Sequence, residues 1–222
     1  ICFLLTIHIF SVYGQDRPEL PFVHLTTKDG LPTSDVRHIA QDSKGFIWLA
    51  TAKGLVRYDG SKFVTFDQDD KKFNLLFSNV FHLYITDNDV MYTMINQRLT
   101  SRNLNDPQKV TDWGDITMIN KGEQLYFVKK DSKKAFFIHP NNRIDSLSLD
   151  IFSEFNTNMP YTAIVTYKNK IIASHNQYIH IFDKVTKTAK QIVLSKHFTN
   201  FNTIVQDNYA YMMYWNKPIL RL

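Results

Sequence analysis

The chain has one cysteine in 222 residues, Cys2, and it sits inside an apolar run at the N-terminus. Beyond that residue neither a disulfide framework nor a thiolate metal site can form. Glycine is scarce and unevenly spent: after Gly60 only Gly114 and Gly122 remain. No apolar run approaches the roughly 20 residues needed to span a bilayer as a helix. No Gly-x-Ser-x-Gly elbow, phosphate-binding loop, dinucleotide fingerprint or His-Glu-x-x-His pair is present, so the common hydrolase, nucleotide and metalloprotease signatures are excluded. The net charge of +5 is not gathered into a patch. Lysines and arginines are spread along the chain, with short doublets at Lys71-Lys72, Lys129-Lys130 and Lys133-Lys134. Nucleic-acid binding needs clustering on one element, so no nucleic-acid partner is expected.

What is there is strand-like. From Phe22 to Phe66 short alternating apolar runs are separated by Asp29-Gly30, Lys44-Gly45, Lys53-Gly54 and Asp59-Gly60. A glycine at those places suits a tight turn with positive φ. In Val36–Gln41 and Phe46–Thr51 the side chains alternate with a period of two. The pattern predicts one four-stranded antiparallel unit. Weaker echoes follow: Ser34-Asp35-Val36 recurs as Ser78-Asn79-Val80, and Gln41-Asp42 returns as Thr86-Asp87 and Gln206-Asp207. Innermost strands are predicted at Val36–Gln41, Val80–Thr86, Ile116–Asn120, Ala163–Tyr167 and Thr203–Gln206. Their starts are spaced by 44, 36, 47 and 40 residues. That period fits four-stranded propeller blades, with one shortened repeat. Asparagine turns such as Asn141-Asn142 replace the glycines of the first unit.

The first unit resembles the two-component-regulator type of β-propeller repeat. The resemblance rests on Leu25-Thr26-Thr27, Asp29-Gly30-Leu31-Pro32, Val36-Arg37, Gln41-Asp42, Gly45-Phe46-Ile47-Trp48, Thr51, Gly54-Leu55, Arg57-Tyr58-Asp59-Gly60 and Phe63. It implies an all-β propeller of four-stranded antiparallel blades, incomplete here, with about four and a half blades of seven. Blades are expected near 22–67, 76–112, 115–149, 161–194 and 201–222. It also implies a periplasmic sensor region of a hybrid sensor histidine kinase of the Bacteroidetes, responding to an oligosaccharide. A homodimer is implied for the full-length protein, with membrane contact only through segments beyond this sequence. Gly30, Leu31, Asp42, Gly45, Trp48, Gly54, Leu55, Tyr58, Asp59 and Gly60 are the structural motif of the repeat, with Trp48 as core packing between blades.

Several features keep alternatives open. Residues 1–14 read as the apolar core of a secretory signal, and 15–222 as the N-terminal part of the propeller. Phe73, Leu76, Phe77, Val80, Phe81 and Tyr84 form a stripe with helical spacing, although the repeat register favours a strand. Phe22–Thr27 is expected as an outer strand of the blade that closes the ring. The eight histidines show no ligand spacing; His175 and His180 could meet across a hairpin as a chance pair. Asp67–Lys72 lacks the glycine of a calcium loop and places lysines where ligands belong. No metal and no cofactor is expected. Trp113, in a loop before the third inner strand, is the one candidate ligand-binding residue, because exposed aromatics stack on sugar rings. The starts of the inner strands offer Asp35, Asn79, Asp115, Thr162 and Asn202, which include one carboxylate pair for an acid/base reaction. No catalytic residue is assigned. The competing functions are a sensor with another output domain, a carbohydrate-active enzyme, or a scaffold.

Overall fold

The computed structural model describes residues 22–71, 73, 75, 78–121, 124–130, 132, 134–155, 163–175, 178–193, 202–206, 209–214 and 217–221. Among these residues the regular structure is strand, apart from short 3-10 turns at Thr27–Asp29 and Leu149–Phe155. The proposed signal, Thr162 and Gly122 lie outside them.

Blade 1 is a meander of β1 (Val36–Gln41), β2 (Ile47–Thr51), β3 (Gly54–Tyr58) and β4 (Phe63–Phe66), paired in that order and antiparallel throughout. Blade 2 contains β5 (His82–Ile85), β6 (Val90–Ile95), β7 (Arg98–Asn103) and the first part of β8 (Asp106–Lys121). Blade 3 takes the second part of β8 and adds β9 (Leu125–Lys129), β10 (Lys134–Ile138) and β11 (Ile144–Ser148). Blade 4 is β12 (Ala163–Tyr167), β13 (Lys170–His175), β14 (Tyr178–Asp183) and β15 (Ala189–Val193). A further meander follows: β16 (Asn202–Gln206), β17 (Tyr209–Tyr214) and β18 (Lys217–Arg221). The first strands of successive meanders pack side by side, β1 on β5, β8 on β12 and β12 on β16. Sheets standing radially with their first strands innermost define a β-propeller.

The apolar core lies between blades. Trp48, Ala50, Leu55 and Phe66 of blade 1 meet Val80, Leu83, Met91 and Ile95 of blade 2, with Phe73 and Leu75 of the connection wedged among them. Tyr84, Tyr92 and Leu99 of blade 2 meet Ile116, Leu125, Phe127 and Ile138 of blade 3. Tyr126, Val128, Ala135 and Phe137 of blade 3 meet Ile164, Ile171 and Ala173 of blade 4, and Phe152 of the second 3-10 turn fills the gap. A strand presents alternate side chains to its two faces, so each blade buries both of its faces against different neighbours. On the far face of blade 1, Leu49 and Val56 are covered by Leu31.

Three expectations change. Blades 2 and 3 are not separate sheets: β8 runs unbroken through both and joins them into one seven-stranded sheet. Its residues Asp106–Asp115 pair with β7, and Ile116–Lys121 pair with β9. Register shifts lie on both sides of Gly114, which has φ 81°. A bulge or glycine re-aims a strand without ending it, so one strand serves two blades. The shortened 36-residue repeat is this missing connection.

Phe22–Thr27 pairs with no strand among the described residues. Phe22–Thr26 has no strand structure, Thr27–Asp29 is a 3-10 turn, and Phe22 and Val23 are 91% and 80% exposed. Thr26 and Asp29 cap each other's backbone there, a local arrangement that competes with strand pairing. The helical stripe is resolved differently again. Phe73 and Leu75 enter the core from irregular chain, and β5 begins at His82; residues 72, 74, 76 and 77 lie outside the description.

Candidate functional site

The motif residues of blade 1 build one turn and one edge of the core. Asp42 accepts hydrogen bonds at Oδ1 from the backbone N–H groups of Lys44 and Phe46, both at 3.0 Å. Its other oxygen accepts from the Trp48 indole N–H at 2.8 Å. Gly45 closes the same turn with φ 86°. A single carboxylate therefore shapes the β1–β2 turn and satisfies the polar atom of a tryptophan that is 3% exposed. Trp48 stacks on Phe66 at 5.6 Å and tilts against Phe73 at 5.5 Å. Leu55 is fully buried beside it. At the β3–β4 turn, Asp59 accepts from the N–H groups of Ser61 and Lys62, which holds its carboxyl below the usual range. Tyr58 donates to the Gly60 carbonyl at 2.8 Å. Gly30, Gly54 and Gly60 all carry positive φ.

Turns also tie neighbouring blades together. The Ser43 backbone N–H and hydroxyl donate to the two carboxylate oxygens of Asp89 at 2.8 and 2.6 Å. Lys44 Nζ donates to Asn105 Oδ1 at 2.9 Å. One blade further on, the Asp87 N–H donates to the Pro140 carbonyl and the Asn88 amide to the Asn141 carbonyl. The Tyr92 hydroxyl reaches Asn142 Oδ1 at 2.9 Å. The first turn of blade 1 thus grips the first and last turns of blade 2, and the first turn of blade 2 grips the last turn of blade 3.

The most developed polar cluster lies on the innermost strands, at the seam between β1 and β5. Arg37 forms a two-point contact with Asp35, Nε to Oδ1 at 3.2 Å and Nη2 to Oδ2 at 2.8 Å. Its remaining nitrogen, Nη1, donates to Asn79 Oδ1 of blade 2 at 2.6 Å. The same guanidinium lies over the Phe81 ring, 4.4 Å from its centroid. The planar fork of arginine allows these contacts at once, where a lysine could not make them. Asp35 is half-exposed, and Phe81, Val36 and Ile39 are 37%, 41% and 60% exposed. Behind the cluster His38 and His82 face each other across the seam with ring centroids 4.6 Å apart. Burial, and secondarily the neighbouring His38, push the His82 pKa down to about 4.

These residues are equivalent positions of successive repeats. Asp35 and Asn79 occupy the same place in Ser34-Asp35-Val36 and Ser78-Asn79-Val80, and His38 precedes His82 by the same 44-residue step. That offset was the available signal for the seam, although the step alone does not reveal Arg37 as the hub. The inner-strand carboxylates are held by arginines: Asp35 by Arg37 at 2.8 Å and Asp115 by Arg98 at 3.8 Å. Asn202 begins β16.

Trp113 is not in a loop but within β8. Its indole N–H donates to Ser101 Oγ at 2.9 Å, and its ring packs against Phe127, Phe136 and Tyr92 at 5.5, 6.1 and 6.2 Å. His175 and His180 do not pair with each other: the register sets His175 opposite Tyr178 and His180 opposite Ala173. His180 is buried and bonded to Gln191 at 2.9 Å. Asp67 and Asp70 accept from nearby backbone N–H groups, Asp69 and Phe73 respectively. Among the described residues no group of three or more histidines, cysteines, aspartates or glutamates converges on a metal position.

Radial four-stranded sheets, innermost strands side by side and a core between the sheets make this an all-β propeller. Within it, residues 30–53, which include β1 and β2, match the family model of the two component regulator propeller, and the chain carries a repeat of that family. The structure is similar to the extracellular domain of a hybrid two component system from B. thetaiotaomicron, at TM-score 0.54 and 17% identity, over 90% of this chain and 35% of that one. It is similar as well to virginiamycin B lyase from Staphylococcus aureus, at TM-score 0.51 and 12% identity, over 90% of this chain and 72% of the lyase. A third likeness is to PorZ, a surface component of the type-IX secretion system of Porphyromonas gingivalis. There the TM-score is 0.50 and the identity 12%, over 89% of this chain and 28% of PorZ. At such identities the likeness is one of fold. The chain spans about a third of the length of the first of these proteins. No curated protein matches it.

Proposed function

We propose that this chain is part of an extracytoplasmic, ligand-sensing propeller of a two-component regulator. Its ligand is an oligosaccharide and its output a membrane-bound histidine kinase. The observation that carries this reading is the family repeat at residues 30–53, placed in a blade whose inner strand bears the Arg37 cluster. The extracellular location given for the similar B. thetaiotaomicron domain supports the exported setting. Among the described residues no helix is long and apolar enough to cross a membrane.

The chemistry of the seam suits a hydroxyl-rich ligand. Asp35 and Asn79 offer acceptors held in place by Arg37, and the Phe81 ring offers an apolar face. Vicinal hydroxyls pair with fixed carboxylate and amide groups while the C–H face of a sugar stacks on an aromatic ring. Holding the acceptors rigid lowers the ordering cost of binding. Trp113 is a second stacking candidate if β8 rearranges on binding. In this reading a bound ligand bridges blades 1 and 2 and is felt as a change in their packing, which the full-length homodimer conveys across the membrane. A different output, a transcription factor or a diguanylate cyclase, uses the same ligand step.

The test is calorimetric titration of the protein with a panel of neutral and acidic oligosaccharides, repeated on Arg37→Ala and Phe81→Ala. Saturable binding that falls at least tenfold in both variants is expected. Binding that ignores both variants moves the ligand elsewhere, and no binding across the panel overturns the saccharide assignment.

A further inference from the structure

The seam that carries the Arg37 cluster also carries two imidazoles, and their placement points to a second input. We infer that the His38–His82 pair is an acid-sensitive latch between blades 1 and 2, closed while the His82 ring is neutral and opened by its protonation. The rings belong to different blades and approach to 4.6 Å at an interplanar angle of 58°. Two imidazolium ions cannot share that spacing without strong repulsion in a partly desolvated site. The described titratable neighbours are paired with each other or neutral. On β1 and just before it stand Arg37 and Asp35, already paired with each other. On β5 and β6 the titratable groups are Tyr84 and Tyr92, both pushed up to about 12 mainly by burial, so they stay neutral. β2 carries no charged residue.

The direction follows from burial. His82 is held to about 4 in the closed seam against about 6.5 when released. A group depressed in the folded state stabilises above its free pKa, and that stability is lost as pH falls through the window down to the folded pKa. Between pH 6.5 and 4 the opening equilibrium therefore shifts toward the open seam. The ceiling is roughly 300-fold for a displacement of this size, and solvent screening at a half-buried ring reduces it to tens-fold. The native carboxylates with lowered values, Asp59, Asp112 and Asp145 among them, lose their contributions below that window. Histidine is the side chain suited to such a switch.

The latch regulates the site proposed above, and its biological sense rests on that reading, but the seam can be tested without any ligand. The Val80 N–H donates to the Thr51 carbonyl at 3.0 Å across the same boundary, so its exchange reports opening. Hydrogen exchange on the whole chain, corrected for intrinsic rates, is expected to show loss of protection around Val80 between pH 7 and pH 5. Peptides from β9 and β10, which contain no histidine, should hold theirs. His82→Phe, which keeps an aromatic ring and cannot be protonated, should flatten the pH dependence at Val80 to less than threefold. If His82→Phe fails to fold, His82→Gln removes the same titration with a polar side chain of similar reach. Equal loss of protection in the wild type and a folded variant overturns the latch, as does an unchanged Val80 across the pH range. Neither outcome bears on whether a saccharide binds at neutral pH.

Discussion

Gly54 is the position where one added methyl group has the most calculable effect. Its φ is +121°, and a Cβ built there would lie 2.3 Å from the Phe66 carbonyl oxygen and 3.1 Å from the carbonyl carbon. The contact is with the backbone of β4, so no rotamer change relieves it. Gly60 is the natural control: its φ is +93°, and nothing lies within 4 Å of its virtual Cβ. Alanine at either site forces a side chain into positive φ, which costs about 1–2 kcal/mol. Both substitutions also remove the same unfolded-state freedom, which cancels in the comparison. Only Gly54→Ala must in addition drive β4 away by roughly 0.7 Å, an overpacking strain of about 1–3 kcal/mol. The shift is felt at Leu55 and Phe66, which pair across β3 and β4 and share the core with Trp48. Gly54→Ala is therefore expected to lose about 2–5 kcal/mol and Gly60→Ala about 1–2 kcal/mol. Urea unfolding followed by circular dichroism measures both. A difference between the two variants below about 0.5 kcal/mol would refute the close-approach argument and reduce Gly54 to a turn glycine.

Further outcomes follow from the same geometry. Asp42→Ala strands the Trp48 indole N–H in a buried site and loosens the β1–β2 turn, so a loss of about 2–3 kcal/mol is expected in the same assay, with a shift in tryptophan emission. Asp89→Ala removes both bonds from Ser43 between blades 1 and 2 and should cost about 2 kcal/mol; Ser43→Ala, which keeps its N–H, should cost less than half as much. Arg102 is 4% exposed, burial pushes its pKa down to about 10, and its Nε has no partner although the guanidinium reaches the Phe73 carbonyl. Replacing such a buried charge by a similar apolar shape is nearly neutral, so Arg102→Met should shift the thermal midpoint by no more than a few degrees; a loss above about 3 kcal/mol would show an ion pair at work.

The strand pattern was legible wherever alternation and turn residues agree. β1 and β12 begin and end where the sequence places them, and β2 and β16 differ by a residue at one end. In those segments a one-residue slip would turn a buried face outward, so the pattern carries the register. Legibility failed where the chain uses few turn residues or uses apolar residues outside strands. β8 crosses from blade 2 to blade 3 at Trp113-Gly114-Asp115, where a glycine reads as an ordinary turn signal. Phe73 joined the stripe with helical spacing although, like Leu75, it is a wedge in a core shared by two sheets. Phe22 and Val23 read as strand by composition, but strands need a neighbour to pair with, and local capping at Thr26–Asp29 holds that segment instead. Of the candidate site, the family resemblance named Asp42 and Trp48 as motif residues but not the hydrogen bond between them. The Arg37–Asn79 and His38–His82 contacts join side chains 42 and 44 residues apart, so only the repeat period hints at them.

The shared strand β8 divides the molecule mechanically. Blades 2 and 3 are knit by one continuous ladder and must move as a single plate. Blades 1 and 2 are joined by the connection from β4 to β5 and by side chains, with Val80 to Thr51 as a backbone contact across the boundary. Relative motion therefore concentrates at the edges of that plate, and the edge toward blade 1 is also where the arginine fork and the paired imidazoles sit. A force or ligand applied there tilts blade 1 against a plate twice its size, so the smaller sheet does the moving and the larger one bears the load.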